Sequence, residues 1–148
     1  MKKILYSLLQ YKHSLLRDEV FNIGIAFYVP DMDNSVCFCH TTSLETLKSF
    51  YPDIDLATLQ NYLKYISSGI QSHKLTLIPD IPIDLNFKVY LKNYALLEDS
   101  TVLQFNDPVI ISNLDSNNME NILTNYIKIL LSFKDGGEYN QIRNLLFS

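Results

Sequence analysis

The chain opens on an apolar, β-compatible run from Ile4 to Tyr11. A second stretch, Glu19 to Val29, alternates, setting Phe21, Ile23, Ile25 and Phe27 on one face of a strand and Asn22, Gly24 and Ala26 on the other. Pro30-Asp31-Met32-Asp33-Asn34 is a cluster of turn formers, after which Val36 to His40 resumes the extended pattern. Connections this short between successive strands predict an antiparallel meander.

The period then changes to that of helices. Thr42, with Glu45 three positions on, reads as a capping box for a short helix that stops before Pro52. Asp55 is placed to cap a second helix, in which Leu56, Leu59, Leu63, Ile66 and Ile70 recur at helical spacing. Ile54 and Leu59 stand where a hydrophobic staple would. Residues 75–83, with Pro79 and Pro82, read as an irregular or edge segment. Asp84 reads as the cap of a third helix, with Phe87, Tyr90, Leu91 and Tyr94 inward. Short strands at Val102 to Phe105 and Val109 to Ile111 flank Asn106-Asp107-Pro108. Asn117 with Glu120 starts a last helix carrying Met119, Ile122, Leu123, Tyr126, Leu130 and Phe133, closed by Gly136-Gly137. Asn140 to Phe147 adds a terminal helical turn.

Strands first and helices after define the α+β class, a mainly antiparallel sheet begun by an N-terminal three-strand meander with about four helices packed on it. No internal repeat or long linker divides the 148 residues, so one domain spans 1–148.

Composition narrows the partners. With 47% hydrophobic and 19% charged residues, the chain has the profile of a packed globule. A net charge of −4 disfavours nucleic acid, whose affinity comes from neutralising phosphates. Residues 1–17 do carry Lys2, Lys3, Lys12 and Arg17 without an acid, whereas residues 18–55 hold seven acids against Lys48, which reads as a solvated dipolar surface. The apolar start is interrupted by Ser7, Gln10 and Lys12 and lacks a cleavage site, so it is not read as a signal peptide. No apolar run is long enough to span a membrane, and two cysteines make no disulfide framework; a cytoplasmic location is expected.

The most metal-like string is Cys37-Phe38-Cys39-His40, but on a strand both thiols share a face while His40 points the other way, and no second pair of ligands follows. The cysteines are expected to be reduced core residues, with no metal and no cofactor. His13, in the turn after the first strand, and His73, after the second helix, read as surface residues. No phosphate-binding, nucleophile-elbow or metalloprotease motif occurs, and no catalytic set is assigned. Tyr62, Tyr90, Tyr94 and Tyr126 lie on or beside helical apolar stripes and read as packing residues. The pairs Asp18/Glu19, Asp31/Asp33 and Glu98/Asp99 fall in turns or at element ends.

The least generic stretch is Arg17-Asp18-Glu19-Val20-Phe21-Asn22-Ile23-Gly24. Small residues on one face of a bulky strand admit a close neighbour, and that neighbour is either a ligand or a packed helix, loop or bulge. As a ligand site, the residues singled out are Arg17, Glu19, Asn22 and Gly24.

Here the chain resembles the bacterial family known as domain of unknown function 3037. The resemblance is carried by Leu5-Tyr6-Ser7-Leu8-Leu9-Gln10-Tyr11, by the E-x-x-N-x-G pattern of Glu19, Asn22 and Gly24 running into Ile25-Ala26-Phe27-Tyr28, and by Val102-Leu103-Gln104-Phe105 with Pro108 before a closing helix. It spans roughly residues 4–131. Such proteins are often encoded beside a HipA-like serine/threonine kinase, which implies a partner or regulator in a toxin–antitoxin or defence-type cassette.

Three roles remain open. The first is a non-enzymatic interaction or regulatory module whose partner is another protein, a HipA-like kinase or a second copy of the chain. The second is a small-ligand or nucleotide-processing enzyme built around Arg17, Glu19 and Asn22 beside Gly24. The third is a nucleic-acid-binding accessory using the basic first strand and exposed tyrosines.

Overall fold

The fold comes from a computed structural model that describes residues 2–13, 20–41, 44–71, 74–95, 103–114 and 119–130. Among these, every strand pairing is antiparallel and the class is α+β. The first strand, β1 (Lys2–Tyr11), is the middle of the sheet. On one side it pairs with β2 (Phe21–Val29), Leu5 opposite Tyr28, and β2 pairs in turn with β3 (Ser35–His40), Ala26 opposite Phe38. The expected meander is therefore present. Its second turn is closed by Asp33 and Asn34, which hold positive φ values of 59° and 56°. Asp and Asn tolerate that region, and the Asn34 carboxamide oxygen accepts a 2.7 Å hydrogen bond from the Tyr28 hydroxyl.

The other side of β1 is covered by two short strands laid end to end, β4 (Leu103–Phe105) and β5 (Val109–Leu114). Asn106 bridges the break between them. Its N–H donates to the Leu8 carbonyl (2.9 Å) while its side-chain oxygen accepts from the Leu8 N–H (2.8 Å), and its own carbonyl accepts from the Ser7 hydroxyl (2.6 Å). Leu8 thus keeps both backbone partners where Pro108, which has no N–H, ends regular pairing.

Helices α1 (Glu45–Phe50), α2 (Leu56–Gln71) and α3 (Ile83–Ala95) pack on one face of the sheet, and α4 (Met119–Leu130) on the other. Alternation along β1 feeds both cores: Leu5, Leu9 and Tyr11 join the α1–α3 side, Ile4 and Leu8 the α4 side. Leu59, Leu63, Ile66 and Ile70 of α2 are buried as their spacing demands, and Asp55 caps that helix by accepting from the Thr58 N–H at 3.1 Å and the Thr58 hydroxyl at 2.7 Å. Cys37 and Cys39 share the α4 face, buried with Ile25, Phe27, Leu123 and Ile127.

Three local expectations are corrected. The first concerns β2. Leu9 faces Gly24 but Gln10 faces Asn22, so Ile23 is an extra residue, a β-bulge. One inserted residue reverses every side chain before it. Ile25, Phe27 and Val29 point to α4, yet Ile23 and Phe21 pack on the opposite side. Asn22 and Gly24 are likewise separated: the Asn22 amide donates to the Leu130 carbonyl of α4 at 2.9 Å, whereas Gly24 faces the α1–α3 side beneath Phe38.

The second correction is to α1, whose N-cap is Leu44, with no side-chain cap bond. Thr42 of the expected capping box lies outside the described residues. The third is to α3, which starts at Ile83, one residue before the expected cap. Asp84 sits in its first turn, and the Pro82 carbonyl accepts the Asn86 N–H at 3.0 Å. Asn86, 4% exposed, organises the preceding loop: its oxygen accepts from the Ile78 N–H at 2.6 Å, and its amide lies within hydrogen-bond reach of the Ile78, Ile81 and Pro82 carbonyls. Val102, Asn117, Phe133, Gly136-Gly137 and the turn at 140–147 lie outside the described residues.

Candidate functional site

A polar cluster gathers at the end of β1. Tyr11, the last residue of that strand, is turned by alternation toward the α1–α3 side and is 4% exposed. Two residues on, His13 stacks flat against Tyr51 just past α1, with ring centroids 4.1 Å apart and planes inclined by 9°. The imidazole Nδ1 lies 2.6 Å from the Tyr11 hydroxyl, and Nε2 lies 3.0 and 3.2 Å from the two oxygens of Asp53, in the turn between α1 and α2.

Carboxylates only accept, so a neutral His13 carries its hydrogen on Nε2 toward Asp53 and accepts the Tyr11 hydroxyl on Nδ1. The order is phenol, imidazole, carboxylate, the geometry of a base oriented by an acid. Burial, then the Asp53 charge and Tyr51, push the Tyr11 phenol up to about 12. Tyr11 is therefore a held hydrogen-bond donor at neutral pH, and its phenolate is disfavoured.

Beside this cluster lies a pocket of about 220 Å³ lined by Tyr11, His13, Asp53, Ile54, Asp55, Thr58, Leu59 and Tyr62. Its two carboxylates belong to the turn leading into α2, and Asp55 is already committed to Thr58, which holds its carboxyl below the usual range. With His13 neutral, no lining residue is positively charged.

The sequence had marked His13 as a surface residue. It is instead the hinge of this cluster, with 22% of its side chain exposed. Its signal was faint: a histidine two residues after a strand-ending tyrosine, with its other ring partners, Tyr51 and Asp53, some 40 positions away. Of the residues singled out as a ligand site, Arg17 and Glu19 lie outside the described residues, as does His73. Asn22 and Gly24 face opposite sides of the sheet, and neither lines the pocket. Of the tyrosines read as packing residues, Tyr62 and Tyr90 rest against the α1–α3 core and Tyr126 against the α4 core, while the Tyr94 side chain lies outside those described.

A sheet covered by helices on both faces, with an acidic, tyrosine-walled pocket at one end of its central strand, describes an α+β domain with a small surface cavity. The chain belongs to the family described as "Protein of unknown function (DUF3037)", whose model matches residues 6–127. No curated protein and no solved structure matches it. No helix among the described residues is long and apolar enough to cross a membrane.

Proposed function

We propose that this chain is a non-enzymatic interaction or regulatory module whose partner is another protein, with a HipA-like kinase in a toxin–antitoxin or defence-type cassette as the candidate. The observation that carries this reading is the pair Val109 and Ile110, large aliphatic neighbours each 43% exposed on β5 at the side of the sheet away from β2. Consecutive strand residues point to opposite faces, so the pair presents apolar surface on both sides of one edge. That arrangement suits strand addition, with backbone pairing for affinity and side-chain contacts for selectivity.

Co-expression with a HipA-like kinase from the same host, followed by light scattering on the purified complex, tests the reading. The wild-type chain is expected to form a stoichiometric complex, and V109K/I110K a folded chain that does not. A wild-type chain that stays monomeric with the kinase present removes the proposal. The enzyme reading draws on a different observation, the Tyr11–His13–Asp53 alignment. Its raised phenol and the acidic lining both oppose attack on an anionic substrate such as a nucleotide.

A further inference from the structure

The pocket beside His13 has chemistry that its structural role leaves unused. The Tyr11–His13–Asp53 bonds fasten the end of β1 to the α1–α2 turn, and that alone accounts for the three side chains. It does not account for the open cavity beyond them, nor for the one-sided charge of its lining. We propose that this pocket receives an arginine side chain presented by a partner protein. The proposal rests on the interaction-module reading and names the chemistry of the partner.

Charge selects the class of guest. Asp53 and Asp55 face the cavity, and His13 is the one basic group among the lining residues. A carboxylate offers about four lone-pair positions, and the single His13 Nε2–H, set 3.0 and 3.2 Å from the two Asp53 oxygens, leaves the others unfilled. The Asp53 side chain is 78% exposed, so its remaining positions are open to a donor. An anionic guest would meet two negative charges. A cation meets two attractive ones.

Size and shape select arginine. The cavity, about 220 Å³, lies below the roughly 300–1,000 Å³ typical of pockets for whole small molecules. It is commensurate with one long side chain. Ile54 and Leu59 provide apolar wall for a methylene stem, and Tyr11 and Tyr62 provide aromatic wall for a flat cation. A guanidinium can stack on a phenol ring while its several fixed N–H groups reach the open lone pairs of Asp53 and Asp55, whereas an ammonium has no flat face to stack.

The test is a titration of isotope-labelled protein with the tripeptide Gly-Arg-Gly, followed through the His13 ring and the Tyr11 and Tyr62 resonances. Peptides with citrulline or lysine in the middle serve as comparisons, citrulline being the neutral isostere of arginine. The arginine peptide is expected to shift those signals with a Kd on the order of 1 mM, lysine more weakly and citrulline at least about tenfold more weakly. D53N should raise the arginine Kd about tenfold while leaving the protein's remaining spectrum in place. Equal shifts with arginine and citrulline, or none at about 20 mM peptide, overturn the proposal.

Kinase co-purification separates the two readings. If wild type and D53N capture the kinase equally, the pocket is not used and the interaction module stands. If neither captures it while arginine still binds selectively, the pocket stands and that partner falls.

Discussion

The ring of Phe38 lies over Gly24, so that a Cβ built on the glycine would stand 2.7 Å from Cζ and 2.8 Å from Cε1 of that ring. The Cys39 carbonyl, 3.2 Å away, closes a second side. Phe38 is fully buried and meets Phe105 edge-on with centroids 6.0 Å apart, so it has little room to withdraw. Gly24 is thus a point of close approach, and its φ is not in the left-handed region.

Gly24→Val should therefore lower stability by about 1–3 kcal/mol, since overpacking outweighs the sub-kcal/mol gain in β-propensity. The midpoint of urea unfolding measures this. A midpoint equal to or above that of the parent would show that the Phe38 side is open.

Asn106 joins two edge strands through Leu8, and Asn106→Ala removes the oxygen that accepts the Leu8 N–H. A backbone donor left without its acceptor costs about 1–3 kcal/mol. The loss should be local as well as global, with the Leu8 amide exchanging with deuterium faster than its β1 neighbours. Unchanged Leu8 protection would mean that the bridge is dispensable.

Alkaline pH should unfold the protein earlier than a surface count of charges suggests. Burial raises the Cys37 thiol from 9.0 to about 12, and burial foremost raises the Tyr11 phenol from 10.0 to about 12. An acid whose pKa rises on folding contributes stability that is complete below its unfolded value. That contribution is lost as pH climbs through the folded value. The loss should begin near pH 9 with Cys37, join that of Tyr11 above 10 and continue to about 12. At pH 11 the thiol alone accounts for about 3 kcal/mol. Chemical unfolding from pH 8 to 12 checks the sign, and Cys37→Ala should make the decline shallower. A stability that rises over that range would contradict the burial.

Much of this architecture is written locally. The apolar run of Ile4 to Tyr11, the stripe of Leu59, Leu63, Ile66 and Ile70, and the Asp55 cap depend on residues within a few positions of one another, and each takes the conformation its local pattern dictates. The shared face of Cys37 and Cys39 follows from the same period of two. The side of the sheet occupied by Asn22 was not decided there. A period of two runs unbroken through Phe21, Ile23 and Ile25, and only the pairing of β2 against β1 made Ile23 the extra residue that sent Asn22 to α4 and left Gly24 under Phe38. The two halves of the far edge were also visible as strands, but not their common place along β1, because Ser7 and Asn106 are 99 positions apart. The pocket is likewise a product of long-range assembly. Tyr11 ends one strand and His13 follows it by two residues, Asp53 lies 40 residues beyond His13, and no period or spacing joins them. Only when α1 and α2 settle on the sheet do the phenol, imidazole and carboxylate come within hydrogen-bond reach, because burying the helices' apolar faces fixes where the turn between them must lie.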